Sequence, residues 1–346
     1  MDKKETAPTI RDIAQKAGVS IASVSRAINQ EEGMSPATRE RILTIARQIH
    51  YYPNLQARGL VAQKPEAVGI VIPQSSEFAL SNPYYNEILK GIGAKTNEKG
   101  QYLVLSFLRE ENYARMYHSR LAAGLIVLAN RIDDPGVEEA WKNKIPMVLI
   151  PGDPLKSDVP SVDGDNHDGI RQAMEHLIQL GHREIAFLQG PMNSKYTIER
   201  LDAFRRTLRR HALPFREDRL IEYDFTPEGG YAGMKKLLSL VKPPTGVLLM
   251  NDFSAVGVVR AAKELGYRVP EDVSIIGFGD IPSASMTDPS LTTVREPFQE
   301  MGYRAADMLL KMIQGKRLGA KHIVLPVELI IRKSTAPPPR RKRRNP

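Results

Sequence analysis

Apolar residues recur every three or four positions over the first fifty residues, then in solid blocks of four to six from position 67 onward. The first rhythm is helical and the second is that of strands buried on both faces. Thr9 and Asp12 form a Thr-x-x-Asp capping signal, which starts a helix near Ile10. Ile13, Ala14 and Ala17 give that helix one apolar face, and Gly18 stops it with a residue suited to a left-handed turn. Ser20 caps a second helix over Ile21–Ile28, with Val24, Ala27 and Ile28 inward and Ile21, Ala22, Ser25 and Arg26 outward. Ser35-Pro36 opens a third helix, whose buried stripe is Ile42, Ile45, Ala46 and Ile49. Three helices in about 50 residues make a small bundle. Its first two, joined by a tight turn at Gly18-Val19, form a helix-turn-helix, a shape whose second helix fits the DNA major groove.

Tyr52-Pro53-Asn54 ends the bundle. Positions 55–61 could form one short helix, marginal alone because so few residues cannot offset nucleation. Gln63-Lys64-Pro65 reads as a linker. Strand-like runs then fall at 68–72, 102–105, 125–128, 147–150, 185–188, 247–250 and 273–278. Amphipathic helices fall between most of them, at 84–99, 169–180, 198–211, 229–240 and 254–265. Such alternation means parallel sheets, and the run is too long for one ordinary sheet. Two doubly wound subdomains with a cleft between them follow. Gly91-Ile92-Gly93 is no dinucleotide fingerprint, because it lies inside a helical pattern and the third glycine is missing.

Charge sharpens this division. The net +9 is split into +4 over residues 1–64, +7 over residues 332–346 and −2 between them. A basic head suits phosphate contact. The tail Arg340-Arg341-Lys342-Arg343-Arg344 follows three prolines and reads as a solvated, disordered segment that could add non-specific DNA affinity. Cysteine is absent, which excludes disulfides, Cys-based zinc sites and a thiol nucleophile. The opening Met-Asp-Lys-Lys-Glu-Thr-Ala-Pro has no apolar run behind its charges, and no stretch of about 18 apolar residues exists. A cytoplasmic protein without a membrane span is expected. No nucleophile elbow, phosphate loop or metal-spaced histidine cluster is present, so an enzyme acting on sugars is the remote reading. No cofactor and no metal are expected. His182, in a Gly-His-Arg turn before a strand, reads as structural.

The chain resembles the LacI/GalR family of bacterial transcription regulators over about residues 9–335. The resemblance rests on residues 9–29 and on Ser35-Pro36-Ala37-Thr38-Arg39. It extends through Tyr52-Pro53-Asn54 with Ala57-Arg58-Gly59-Leu60, and Leu180-Gly181-His182-Arg183-Glu184-Ile185-Ala186-Phe187. Asn251-Asp252, Val269-Pro270-Glu271-Asp272-Val273-Ser274-Ile275-Ile276-Gly277-Phe278, Pro289-Ser290-Leu291-Thr292-Thr293-Val294 and Glu328-Leu329-Ile330 complete it. It implies an all-α head (residues 1–52), a hinge helix and linker (53–65) and a core like periplasmic sugar-binding proteins (66–335), with a basic tail at 336–346. The core would be crossed three times, with one subdomain from ~66–163 plus 295–323 and the other from ~164–292 plus 324–335. It also implies a homodimer on double-stranded, near-palindromic operator DNA, acting as a repressor controlled by a small molecule in the cleft. After residue 331 no apolar heptad remains, so the expectation is a dimer rather than a tetramer.

On the head, Ser23, Ser25 and Asn29 offer short donors to phosphates. Arg26 can reach a guanine edge with two hydrogen bonds, worth ~1–3 kcal/mol of discrimination, while Ile21 and Ala22 press on thymine methyls. By resemblance, Leu60 wedges into the minor groove beside Ala57. In the core, the resemblance assigns effector contacts to Tyr85, Asp168, Arg200 and Phe225; Asn251 can hydrogen-bond a sugar hydroxyl with Asp252 read as structural, Asp280 is a further candidate, and Lys195 lies in the same region as Arg200. Many sugar-binding members carry two acids after Ile-Gly-Phe, but here the first is Gly279. That loss, with Lys195 and Arg200 nearby, suggests a sugar acid or sugar phosphate. A neutral sugar held by Asp280, Asp168 and Asn251 is the alternative. Ligand-induced release from DNA is expected, with a corepressor or a protein partner as the other modes.

Overall fold

A computed structural model describes residues 8–29, 31–51, 65–107, 113–129, 131–153, 155 and 157–339. The chain divides into two compact units, residues 1–65 and 66–346. In the first unit, helices α1 (Ile10–Ala17), α2 (Ile21–Ile28) and α3 (Pro36–Gln48) enclose a small core. Ile13, Ala14, Ala17, Val24, Ala27, Ile42 and Ala46 are buried there, with Ile28, Ile45 and Ile49 partly buried against them. The Thr9 amide and hydroxyl both donate to Asp12 Oδ2, at 2.7 and 2.8 Å, and hold the Asp12 carboxyl below its usual range. Gly18 closes α1 at φ 64°, and the Ser20 and Ser35 hydroxyls accept from the amides of Ser23 and Thr38. The hinge and linker at 53–65, with Ala57 and Leu60, lie almost wholly outside the described residues.

The second unit holds two six-stranded sheets. The first is built from β1 (Ala67–Val71), β2 (Tyr102–Ser106), β3 (Leu125–Leu128), β4 (Met147–Ile150), β5 (Ser161–Gly164) and β11 (His322–Leu325). Its order is β11-β5-β4-β3-β1-β2, and every pairing is parallel. Helices α4 (Ser76–Ser81), α5 (Pro83–Asn97), α6 (Tyr113–His118) and α7 (Pro135–Lys142) follow its strands. The second sheet joins β6 (Ile185–Gln189), β7 (Leu220–Glu222), β8 (Gly246–Leu249), β9 (Ser274–Gly279), β10 (Thr292–Arg295) and β12 (Glu328–Ile330). Its order is β12-β10-β9-β8-β6-β7, and β12 runs antiparallel to β10, with Val294 opposite Leu329. This sheet is therefore parallel except at one edge. Helices α8 (Asn166–Gln179), α9 (Lys195–Arg210), α10 (Pro227–Leu238) and α11 (Ala255–Glu264) accompany it.

Three segments cross between the lobes: β5 into α8, β10 into α12 (Phe298–Ile313), and β11 into β12. Helix α12 returns to the first lobe and covers its sheet with Met301, Ala305, Met308 and Leu309. It crosses α5 where both helices carry glycine. A Cβ on Gly91 would sit 1.8 Å from the Gln299 carbonyl oxygen, and one on Gly302 2.1 Å from that of Ile88. Gly91 therefore serves backbone approach. No helix among the described residues is long and apolar enough to cross a membrane. His182 is buried, with its ring nitrogens 2.9 Å from Thr245 Oγ1 and the Ala336 carbonyl. Ala336, where the basic tail was expected to begin, is thus fastened to the second lobe.

Candidate functional site

Two surfaces carry chemistry. On the head, α2 buries Val24 and Ala27 and exposes Ile21, Ala22, Arg26 and Asn29, with Ser23 and Ser25 half-buried between them. The Arg26 guanidinium has no hydrogen-bond or ion-pair partner among the described residues. It projects from a helix held at both flanks by its own core. The Ser23 hydroxyl lies 2.9 Å from that of Ser20, and Asn29 Nδ2 donates to Ser25 Oγ at 3.3 Å.

The second surface is a cavity of about 360 Å³ between the two lobes of the core. Such a volume suits a small ligand. It lies beyond the carboxyl ends of the strands, where open α/β folds take ligands. Tyr84, Tyr85, Tyr196, Phe225, Phe278 and Phe298 give it aromatic walls. The lobes meet at its rim: Ile132 N donates to the Asn193 carbonyl at 2.9 Å, and the Tyr84 and Tyr196 hydroxyls lie 3.3 Å apart. Phe225 adopts φ 66°, a strained region for a bulky side chain. Its ring lies over Gly190, where a Cβ would come within 2.2 Å of ring atoms, and its carbonyl accepts from Asn251 Nδ2 at 3.1 Å.

Arg200 is the polar centre of the cavity wall and is 3% exposed. Its Nε donates to Asn166 Oδ1 at 2.7 Å, one terminal nitrogen to the Met250 carbonyl at 2.7 Å and the other to Glu296 Oε2 at 2.9 Å. The guanidinium stacks 3.5 Å from the Phe278 ring centre. Asn166 and Glu296 belong to two of the three lobe crossovers, so one arginine ties both. Burial pushes the Glu296 carboxyl above its ordinary range, opposed by Arg200. Asp252 also lines the cavity. Its oxygens accept from Thr293 Oγ1 at 2.6 Å and Ile281 N at 3.1 Å, and burial raises its pKa to about 7.

Of the expected effector residues, Tyr85, Arg200, Phe225 and Asn251 line this cavity. Asp168, Lys195 and Asp280 do not, and each is held in an ion pair outside the lining instead. Asp168 binds Arg171 and Gln172 on its own helix. Lys195 donates to the buried Asp163 at 2.7 Å. Asp280 bridges Arg295 and Arg332, at 2.8 and 2.6 Å. At Gly279, φ is 132°, a backbone that suits glycine rather than a carboxylate-bearing residue. The sequence reading missed Glu296, Tyr84, Tyr196 and Phe298. A usable signal was present for the last, because 298–313 repeats apolar residues at helical spacing.

Comparison with known proteins matches this geometry. A model described as bacterial regulatory proteins, lacI family, covers residues 9–54, and a periplasmic binding protein-like domain covers residues 174–335. The HTH-type transcriptional repressor CytR of Escherichia coli K12 is 33% identical over 339 residues, which span 96% of this chain and 98% of that protein. The structure of the lac repressor dimer bound to operator and the anti-inducer ONPF superposes with a TM-score of 0.84 at 29% identity, over 96% of this chain and all of that one. A transcriptional regulator CelR–cellobiose complex gives 0.73 at 30% identity, over 94% of this chain and 99% of that one.

Proposed function

The chain belongs to the LacI family of bacterial transcription regulators, whose members among its relatives are repressors controlled by small molecules; from that premise, we propose that it binds a near-palindromic operator as a homodimer and releases it when a neutral carbohydrate-type ligand fills the core cavity. The observation that carries this is the joining, in one chain, of a helix with an unpartnered outward arginine to a unit with an aromatic-walled cavity between two lobes. Ile21, Ala22 and Arg26 are the base readers, and Ser23, Ser25 and Asn29 the phosphate contacts. Ala57 and Leu60 remain the assigned minor-groove contacts. A DNA regulator working in the cytoplasm rather than an enzyme is the reading these features support.

Tyr85, Arg200, Phe225 and Asn251 are the effector-facing residues in this proposal. The two cations that suggested an acidic ligand, Lys195 and Arg200, are each matched by a buried carboxylate, which favours a neutral sugar. A CelR regulator bound to cellobiose, at similar fold and length, supports the same ligand class. An effector shifts DNA affinity only as far as its affinities for the two core states differ.

Footprinting on a genomic library of palindromes, with and without neutral sugars, tests the proposal. Specific protection that a sugar weakens is the expected result. Absence of any preference over bulk DNA at physiological salt would reject it, and tightening would reverse the sign of control. Arg26→Ala is expected to lose ~1–3 kcal/mol of specific binding at one base position, by comparison of operator variants.

A further inference from the structure

Arg200 is a buried cation on the wall of the ligand cavity, and among the described residues Glu296 is the only carboxylate bonded to it. Its other two partners, the Asn166 side-chain oxygen and the Met250 carbonyl, carry no charge. Glu296 also lines the cavity, is 5% exposed, and its Oε1 makes no hydrogen bond among the described residues. The second cation nearby, Lys195, is closed off by Asp163 and lies outside the cavity lining. Arg131, the other cation of the lining, is exposed, and the lining carboxyl of Asp252 bonds Thr293 and Ile281 instead, so among the described residues Glu296 alone matches the buried guanidinium of Arg200.

We propose that Glu296 is the specificity-determining residue for ligand charge: by matching Arg200 it makes the cavity select uncharged ligands and exclude carboxylates and phosphates. A guanidinium out of water needs a counter-charge. With Glu296 in place the demand is met from within, and an anionic ligand would set a second negative charge beside a carboxylate that has no room to move into solvent. Without the Glu296 charge, the same guanidinium is a ready receptor for a carboxylate or phosphate. The hydrogen-bond frame at Asn166 and Met250 stays as it is in either case, so the switch is one of charge and not of shape. This inference rests on the ligand-cavity reading above.

The test uses the full-length protein as wild type, Glu296→Gln, Arg200→Gln and the double variant R200Q/E296Q. The probes are inorganic phosphate, galacturonate and galactose, at matched ionic strength. Thermal midpoints and calorimetry are read alongside operator binding. The expected results are that neither anion raises the wild-type midpoint, that phosphate and galacturonate raise that of E296Q with at least tenfold tighter binding than to wild type, and that R200Q/E296Q loses this response. Folding of E296Q only in phosphate counts as the same gain. Anion binding to wild type that Arg200→Gln abolishes overturns the proposal, and so does E296Q that responds no more than wild type. If E296Q folds in no buffer while the double variant does, Arg200 is closed to anions and the proposal is equally overturned. Should neither variant fold, the wild-type arm decides alone. Retained operator binding with no anion gain in E296Q would remove this inference and leave the regulator reading standing.

Discussion

Asp252 shows how one buried carboxyl makes the core sensitive to pH. Burial holds its pKa near 7, against an ordinary value of 3.8, despite the bonds from Thr293 and Ile281. Between those values the folded chain binds a proton that the unfolded chain has lost. Stability is thus highest on the acid side for this group, falls as pH rises towards 7, and is flat above it. We predict that the stability gap between wild type and Asp252→Asn, measured by urea unfolding, narrows by roughly 2–3 kcal/mol from pH 5 to pH 8. A gap of constant size would show that Asp252 is ionised throughout. Residues of this kind were only half legible in the chain. Arg200, Phe225 and Asn251 sit in recognisable motifs, whereas Glu296 follows Val294-Arg295 and looks like one of a pair of surface charges. Only the pairing of β10 between β9 and β12 turns Arg295 outward and leaves Glu296 inside. Charge near charge in the sequence also misled: the closest partners of Lys195 and Asp280, at Asp163 and Arg332, lie far along the chain, where local spacing does not reveal them.

Elements built from long apolar runs were readable to within one or two residues, as in β3, β4 and β6, because strands buried on both faces need unbroken hydrophobicity. The short strands were not. β5 is Ser-Val-Asp-Gly, β7 has three residues, and β11 and β12 are edge strands with exposed positions. Their strand character comes from neighbours, not from composition. Helix crossings were equally hidden. Gly91 and Gly93 look alike in sequence, yet only Gly91 faces α12. Gly91→Ala is expected to cost about 3 kcal/mol or more, since backbone must move. Gly93→Ala meets nothing within 4 Å and should be neutral or gain about 0.5–1 kcal/mol from helix propensity. Thermal denaturation of the two variants side by side checks this, and equal losses would refute the crossing.

The chain as a whole is two units with separate cores, one small and one large. A ligand held in the cavity should stabilise the larger unit alone, by about 2.7 kcal/mol at one hundred times its dissociation constant. Calorimetry with a head-specific probe should show the large transition rising while the head's stays fixed; a joint rise would mean the units unfold together. Both units were legible as classes of fold, because helical and strand rhythms change sharply near residue 66. The threading of the lobes was not legible from rhythm alone and came from resemblance. That threading bears on synthesis. Helix α12, which roofs the first sheet, and β11 and β12, which finish one edge of each sheet, all lie after residue 297. A ribosome that has made five-sixths of this protein is therefore holding two unfinished lobes with bare apolar faces. A premature stop shortly before that point leaves both lobes unfinished at once, so such truncated products are expected to be targets for chaperones and proteases rather than stable single-lobe fragments.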